Sequence, residues 1–164
     1  MRQDSVDRML QEWEATDPAL DASPLAVVGR LLLCAGHLER AIVAALAPLE
    51  LSFGDFNVIN TLRRRDEPEG THPSQLASSA LITSGAMTAR LDRLERAGLI
   101  ERRPDRDDRR AVRVLLTADG AQLAERALTA VLAADEAFLA PLSPRRRSQL
   151  AALLKPLLLG SEDG

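Results

Sequence analysis

Apolar positions along this chain recur mostly at the three- and four-residue spacing of an amphipathic helix. Val6, Met9, Leu10 and Trp13 form one such stripe, and Asp17-Pro18 ends it. From Pro24 to Leu49 the series Val28, Leu31, Leu32, Ala35, Leu38, Ile42 and Leu46 predicts a longer helix. Leu33 and Val43 widen its apolar face, which suits packing against more than one neighbour. Ser52 is placed to cap a third helix, Phe53 to Arg65, with Phe56, Ile59 and Leu62 inward; Asp66-Glu67-Pro68-Glu69-Gly70 breaks it. Two short helices follow. Pro73 suits the first turn of one, with Leu76 and Ala77 inward, and Thr83 can cap the next, with Met87, Leu91 and Leu94 inward until Gly98 stops it.

The periodicity then changes. Leu99–Arg103 and Ala111–Leu116 are short β-prone runs joined by the polar turn Pro104 to Arg110, which predicts a hairpin with an arginine-rich tip. Thr117 caps a long Ala/Leu helix to about Phe138. Ser143-Pro144 opens a last helix with Leu150, Leu153, Leu154, Leu157 and Leu158 on one face. The predicted fold is therefore mainly α with a small β-hairpin wing: a winged helix-turn-helix inside a helical dimerisation scaffold. It divides into N-terminal helices for dimerisation and part of a ligand site (1–50), the winged region (51–117) and C-terminal dimerisation helices (118–164).

Composition narrows the function. The 164 residues, 46% of them hydrophobic, suffice for a buried core. No run of eighteen uncharged apolar residues occurs, and the first ten residues lack the form of a signal peptide, so a cytoplasmic protein with no membrane partner is expected. The net charge is −3, yet Ser84 to Arg113 carry nine arginines against six carboxylates. Basic charge is thus focused on the segment that a winged helix-turn-helix presents to double-stranded DNA. Wide Leu/Ala faces at both ends of the chain would be left uncovered in a monomer, so a homodimer on an inverted-repeat operator is expected.

Within that segment, Ser84, Gly85, Thr88 and Arg90 are the candidate groove-reading residues of the capped helix: hydroxyls for bases or phosphates, a glycine for close approach, and a guanidinium able to grip guanine. Arg93 and Arg96 alternate with Asp92 and Glu95 and are expected to be a solvated face with helical ion pairs. At the hairpin tip, Arg106 and Arg109 are candidates for a minor groove; the alternative is a local web with Asp105, Asp107 and Asp108 that shapes the turn.

Other chemistry is poorly supplied. A serine triad, HExxH and a glycine-rich phosphate loop are all missing, so no enzyme is expected. His37, His72 and a single cysteine offer no metal site, and no cofactor is implied. Cys34 follows Leu31-Leu32-Leu33 without an adjacent cation, so a buried inert thiol is expected; a redox-sensing regulator using Cys34 is the alternative. A protein-interaction module without a DNA role is a further alternative, disfavoured by the arginine-rich tip.

The run ITSGAMTARLDRLERAGLIERR (Ile82–Arg103) followed by PDRDDRRAVRVLLT (Pro104–Thr117) resembles the core signature of the MarR family. The likeness lies in the DRLE of Asp92–Glu95, Gly98-Leu99, the DRR of Asp108–Arg110 and the LT of Leu116-Thr117. It implies a dimeric winged helix-turn-helix regulator, usually a repressor released by a small ligand or oxidant. The added N-terminal helix with Trp13 is similar to the family's urate-responsive subgroup. That resemblance implies a ligand site of Trp13, Asp55, Arg90 and Arg102, in which two guanidiniums hold a small anionic ligand such as urate or an organic acid while the indole stacks on it. For Trp13 an apolar anchor, and for Asp55 a carboxylate favoured by the helix dipole, are the plainer alternatives.

Overall fold

The computed structural model describes residues 2–79, 87–106, 108 and 110–162. Ser84, Gly85 and Arg109, and the capping position Thr83, lie outside them. Two compact units are present, residues 1–41 and residues 42–164.

The first unit holds helix α1, Ser5–Thr16, and most of α2, Leu25–Leu46. Asp4 caps α1: its carboxylate accepts from the backbone N–H groups of Val6 and Asp7, and Asp7 returns a hydrogen bond to the Asp4 N–H. Val6 is buried in contact range of Gly29, where a Cβ would stand 3.3 Å from it. The Arg30 guanidinium donates to both Asp4 and Asp7, tying the start of α1 to α2. Those bonds hold the Asp4 carboxyl below the ordinary aspartate range, the Asp7 N–H contributing most.

In the second unit the organising element is α3, Phe53–Arg65. Ser52 caps it by accepting from the Asp55 N–H, and Gly54 to Ile59, Thr61 and Leu62 are all buried. That near-continuous burial exceeds the single stripe expected from Phe56, Ile59 and Leu62. The cause is position: α3 packs against α4 (Pro73–Ser79), α5 (Met87–Arg96), β2 (Val112–Leu116) and α6 (Ala118–Leu139). α5 turns Met87, Leu91 and Leu94 into this core, and Gly98 ends it with φ +71, a left-handed conformation that glycine adopts without strain.

The wing is an antiparallel hairpin of β1 (Ile100–Pro104) and β2, with Ile100 opposite Leu116 and Pro104 opposite Val112. Thr71 bridges to Val114 and adds a short third edge. Thr117 closes the unit: its hydroxyl donates to the Gly98 carbonyl at 2.7 Å and accepts from the Gly120 N–H at the start of α6. Gly120 is required there, because a Cβ would overlap the Leu99 carbonyl.

α7, Pro144–Glu162, has no buried residue, and Leu150, Leu153, Leu157, Leu158 and Leu159 are exposed along it. Val27, Val28, Leu32, Leu33 and Val43 are likewise exposed on α2. The stretch Leu25–Leu49 is long and apolar enough to cross a membrane by length and composition, although Arg30, Glu39 and Arg40 interrupt its apolar run. Cys34, expected to be buried, is exposed on this helix. The expectation failed because the apolar face of α2 is broader than one chain covers.

Candidate nucleic-acid interface and effector site

Among the described residues singled out for DNA, Thr88 and Arg90 are on α5 and Arg106 is in the turn of the hairpin. Thr88 is exposed on α5. At the wing, the Arg106 side chain is 82% exposed and reaches Glu69 at 3.2 Å, a loose surface pair. Arg103 and Arg110 are also exposed.

The wing's orientation is set from beneath by Asp105, which is 5% exposed. Its carboxylate accepts from Arg113 Nε at 2.5 Å and from the Asp108 N–H at 3.0 Å, and His72 Nε2 lies 3.3 Å away. Arg113 also donates to the Gly70 carbonyl at 3.1 Å, so one buried anion joins the hairpin to the start of α4. Asp105 therefore shapes the wing as an internal anchor, while Arg106 stays at the surface. Behind the wing lies a cleft of about 300 Å³ lined by Leu62, Arg63, Thr71, Val114 and Ala121, and none of the candidate DNA- or ligand-contacting residues lines it.

Arg90 does not stand free on the helix surface as expected. Its guanidinium lies on the backbone of Gly54, where a Cβ would come within 2.5 Å of Cζ, and Nη1 is buried without a hydrogen-bond partner among the described residues. The reason is geometric. About 100° of rotation per residue puts Arg90 beside the Met87–Leu91–Leu94 stripe and so against α3. Arg90 as a whole is half-buried, and a buried donor left unpaired, as Nη1 is among the described residues, is costly unless an anion or water completes it.

Arg93 was missed. Its guanidinium grips Asp55 with two hydrogen bonds, Nε to Oδ2 at 3.1 Å and Nη2 to Oδ1, while the Ser52 hydroxyl donates to Oδ2 at 2.7 Å. The Asp55 side chain is 6% exposed and that of Arg93 51%. The carboxylate beside it raises the Arg93 pKa above its ordinary value, keeping the charge fixed. Arg102 is also engaged, donating to Asp92 and Glu95 of α5 and bracing the first wing strand against that helix. Asp55, Arg90 and Arg93 thus gather where α3 begins and α5 passes it. Trp13 is on α1 of the first unit, half-exposed.

The sequence pattern of the MarR family matches residues 56–112. The HTH-type transcriptional regulator PecS of Dickeya dadantii is 35% identical over 149 residues, covering 91% of this chain and 90% of PecS. The chain belongs to the MarR family. Solved structures of MarR-family proteins share its fold. A MarR variant from E. coli complexed with operator DNA superposes with a TM-score of 0.71 at 27% identity, covering 89% of this chain and 97% of that one. The Mycobacterium tuberculosis MarR family protein Rv2887, in complex with salicylic acid, gives 0.64 at 32% identity, covering 84% and 98%. This MarR-family protein is accordingly a winged helix transcriptional regulator, built on the mainly helical, hairpin-winged architecture expected from its periodicity.

Proposed function

We propose that this MarR-family protein is a cytoplasmic, homodimeric repressor that binds an inverted-repeat operator and is released by a small anionic ligand. The observation that carries the reading is an exposed helix α5, braced on one side by α3 and on the other by a hairpin whose base is fixed by Asp105 and whose outer end displays Arg103, Arg106 and Arg110. In this reading Thr88 near the start of α5 reads the major groove, together with Ser84 and Gly85, which precede α5 in sequence, while Arg106 and Arg109 approach the adjacent minor groove.

A second copy would cover the leucine faces of α2 and α7, and twofold symmetry would set two α5 helices about 34 Å apart, one turn of B-DNA. The operator complex of the E. coli MarR variant supports the DNA assignment.

The buried unpartnered Nη1 of Arg90 supports an anionic ligand, and the salicylic acid complex of Rv2887 supports an aromatic carboxylate. Such an anion repels Asp55 and strains the contact of α3 with α5, so ligand and operator binding oppose each other by linkage. Arg102 belongs to the same proposed ligand set through the family resemblance.

A mobility-shift assay of the purified protein on the DNA upstream of its own gene, repeated with salicylate and urate, tests both halves. Retardation at low salt that the acids reverse is expected. No retardation on that DNA at any salt concentration would refute the DNA assignment, and retardation that no acid relieves would refute the ligand assignment.

A further inference from the structure

We infer that Arg93 is a positioning residue for DNA recognition: by clamping the buried Asp55 carboxylate it fixes the orientation of α5 on α3, and it contributes to operator affinity through that clamp. This inference rests on the reading that α5 enters DNA.

α5 is held to the core by Met87, Leu91 and Leu94, whose contacts are apolar and non-directional. They resist withdrawal and any large rotation of the helix, but they fix its exact setting less sharply than a directed bond does. Arg93 stands about 120° round the helix from that stripe, by the 3.6-residue turn. From there it supplies what the stripe lacks, a two-pronged bond of defined direction. Its partner is equally constrained. Asp55 sits in the first turn of α3, its backbone N–H bonded to Ser52 and its Oδ2 shared between Ser52 and Arg93. A carboxylate so buried needs a cation, and the neighbouring Arg90 does not serve: its guanidinium lies on Gly54 instead. With its two anchoring nitrogens turned toward α3, Arg93 is directed away from the role of a phosphate contact.

The experiment compares Arg93→Gln, Arg93→Lys, Asp55→Asn and the Asp55→Asn/Arg93→Gln double variant by fluorescence anisotropy on the upstream fragment that the wild type binds. Measurements run across a salt series and below each variant's melting temperature. Arg93→Gln is expected to weaken binding roughly tenfold, within the usual range for a broken hydrogen-bonded charge pair, with the slope of log affinity against log salt unchanged. Arg93→Lys, which keeps the charge but not the fork, should recover only part of that loss. The double variant should bind no more weakly than the weaker single variant, because either change already breaks the clamp.

Additive losses would show that Arg93 acts independently of Asp55, and a salt slope reduced by about 0.9 in Arg93→Gln would show that Arg93 touches a phosphate; either result would overturn the inference. Unchanged affinity in Arg93→Gln would overturn it equally. Should Asp55→Asn fail to fold, the affinity and salt slope of Arg93→Gln, altered at a half-exposed side chain, still decide the matter. A wild type that binds no fragment would instead refute the DNA assignment on which the clamp depends, a result distinct from a binding wild type with an unaffected variant.

Discussion

Replacing Gly54 by alanine separates the roles of two arginines three residues apart. A methyl group at this position would stand 2.5 Å from Arg90 Cζ and 2.7 Å from Nη2, where ordinary contact begins at 3.4 Å, so the guanidinium must withdraw by about 1 Å. The backbone need not move, because Gly54 is a helical residue and is not among the glycines of positive φ. Three energies then compete. Alanine in place of glycine in a helix contributes about 0.5–1 kcal/mol in favour of folding. Bringing the unpartnered Nη1 to water relieves part of a cost on the order of 1–3 kcal/mol. Against these stands the lost packing of the Arg90 stem, on the order of 1 kcal/mol. The sum is a variant as stable as the wild type or more so by about 1 kcal/mol, a rise of roughly 2–4 °C in melting temperature for a chain of this size.

Function should divide in the same variant. The Arg93–Asp55 clamp is untouched, so operator affinity should stay within about threefold of wild type, less than the tenfold that corresponds to 1.4 kcal/mol. Relief of DNA binding by salicylate or urate should be lost, because Arg90 no longer occupies the place from which an anion would be held. Calorimetry and the mobility-shift titration measure the two halves independently. A melting temperature lowered by more than about 4 °C would refute the stability reasoning. An effector response equal to wild type would refute the assignment of Arg90, and a large loss of operator affinity would show that Arg90 reads DNA after all.

Further consequences follow from other contacts. Asp105→Asn removes the charge that Arg113 and His72 share at the base of the wing and should destabilise the fold by on the order of 2 kcal/mol in denaturant melts; a loss under about 0.5 kcal/mol would contradict the anchoring role. Glu67, whose carboxyl is held below its ordinary range first by Arg65 and then by the Thr71 hydroxyl, contributes stability that is present above the ordinary glutamate pKa and is lost as pH falls through the lowered value. Glu67→Gln should therefore cost about 1 kcal/mol or less at pH 7, with the gap from wild type closing in acid; a gap constant over pH would rule this out. Leu153, 70% exposed on α7, should lie within the contact between copies, so Leu153→Arg should shift sedimentation toward the monomer and weaken operator binding in parallel, whereas an unaltered mass would remove α7 from that interface.

Most of the architecture was legible because its signals are local. Ser52 and Thr117 cap the helices they precede, and Gly98 ends α5 in the backbone conformation its identity favours. What could not be read locally were contacts between distant segments. Asp55 and Arg93 are 38 residues apart, and Arg90 meets Gly54 only after α3 and α5 have packed. Cys34 was misjudged for the opposite reason: an apolar neighbourhood in sequence says nothing about whether the same chain covers it.

The three arginines of α5 show how one local rule nevertheless yields three outcomes. Residues spaced by three fall short of a full helical turn by about 60°, so Arg90, Arg93 and Arg96 precess round the helix away from the buried stripe. The first lies over Gly54, the second grips Asp55 from the flank, and the third bonds the Asp92 carbonyl of its own helix. Side chains of identical chemistry are thus carried to three places, over Gly54, beside Asp55 and at the surface, by their angle to Met87, Leu91 and Leu94. That angle was available from spacing alone; which anion waited on the neighbouring helix was not, and it is this tertiary fact that makes Arg93 more than part of a solvated face.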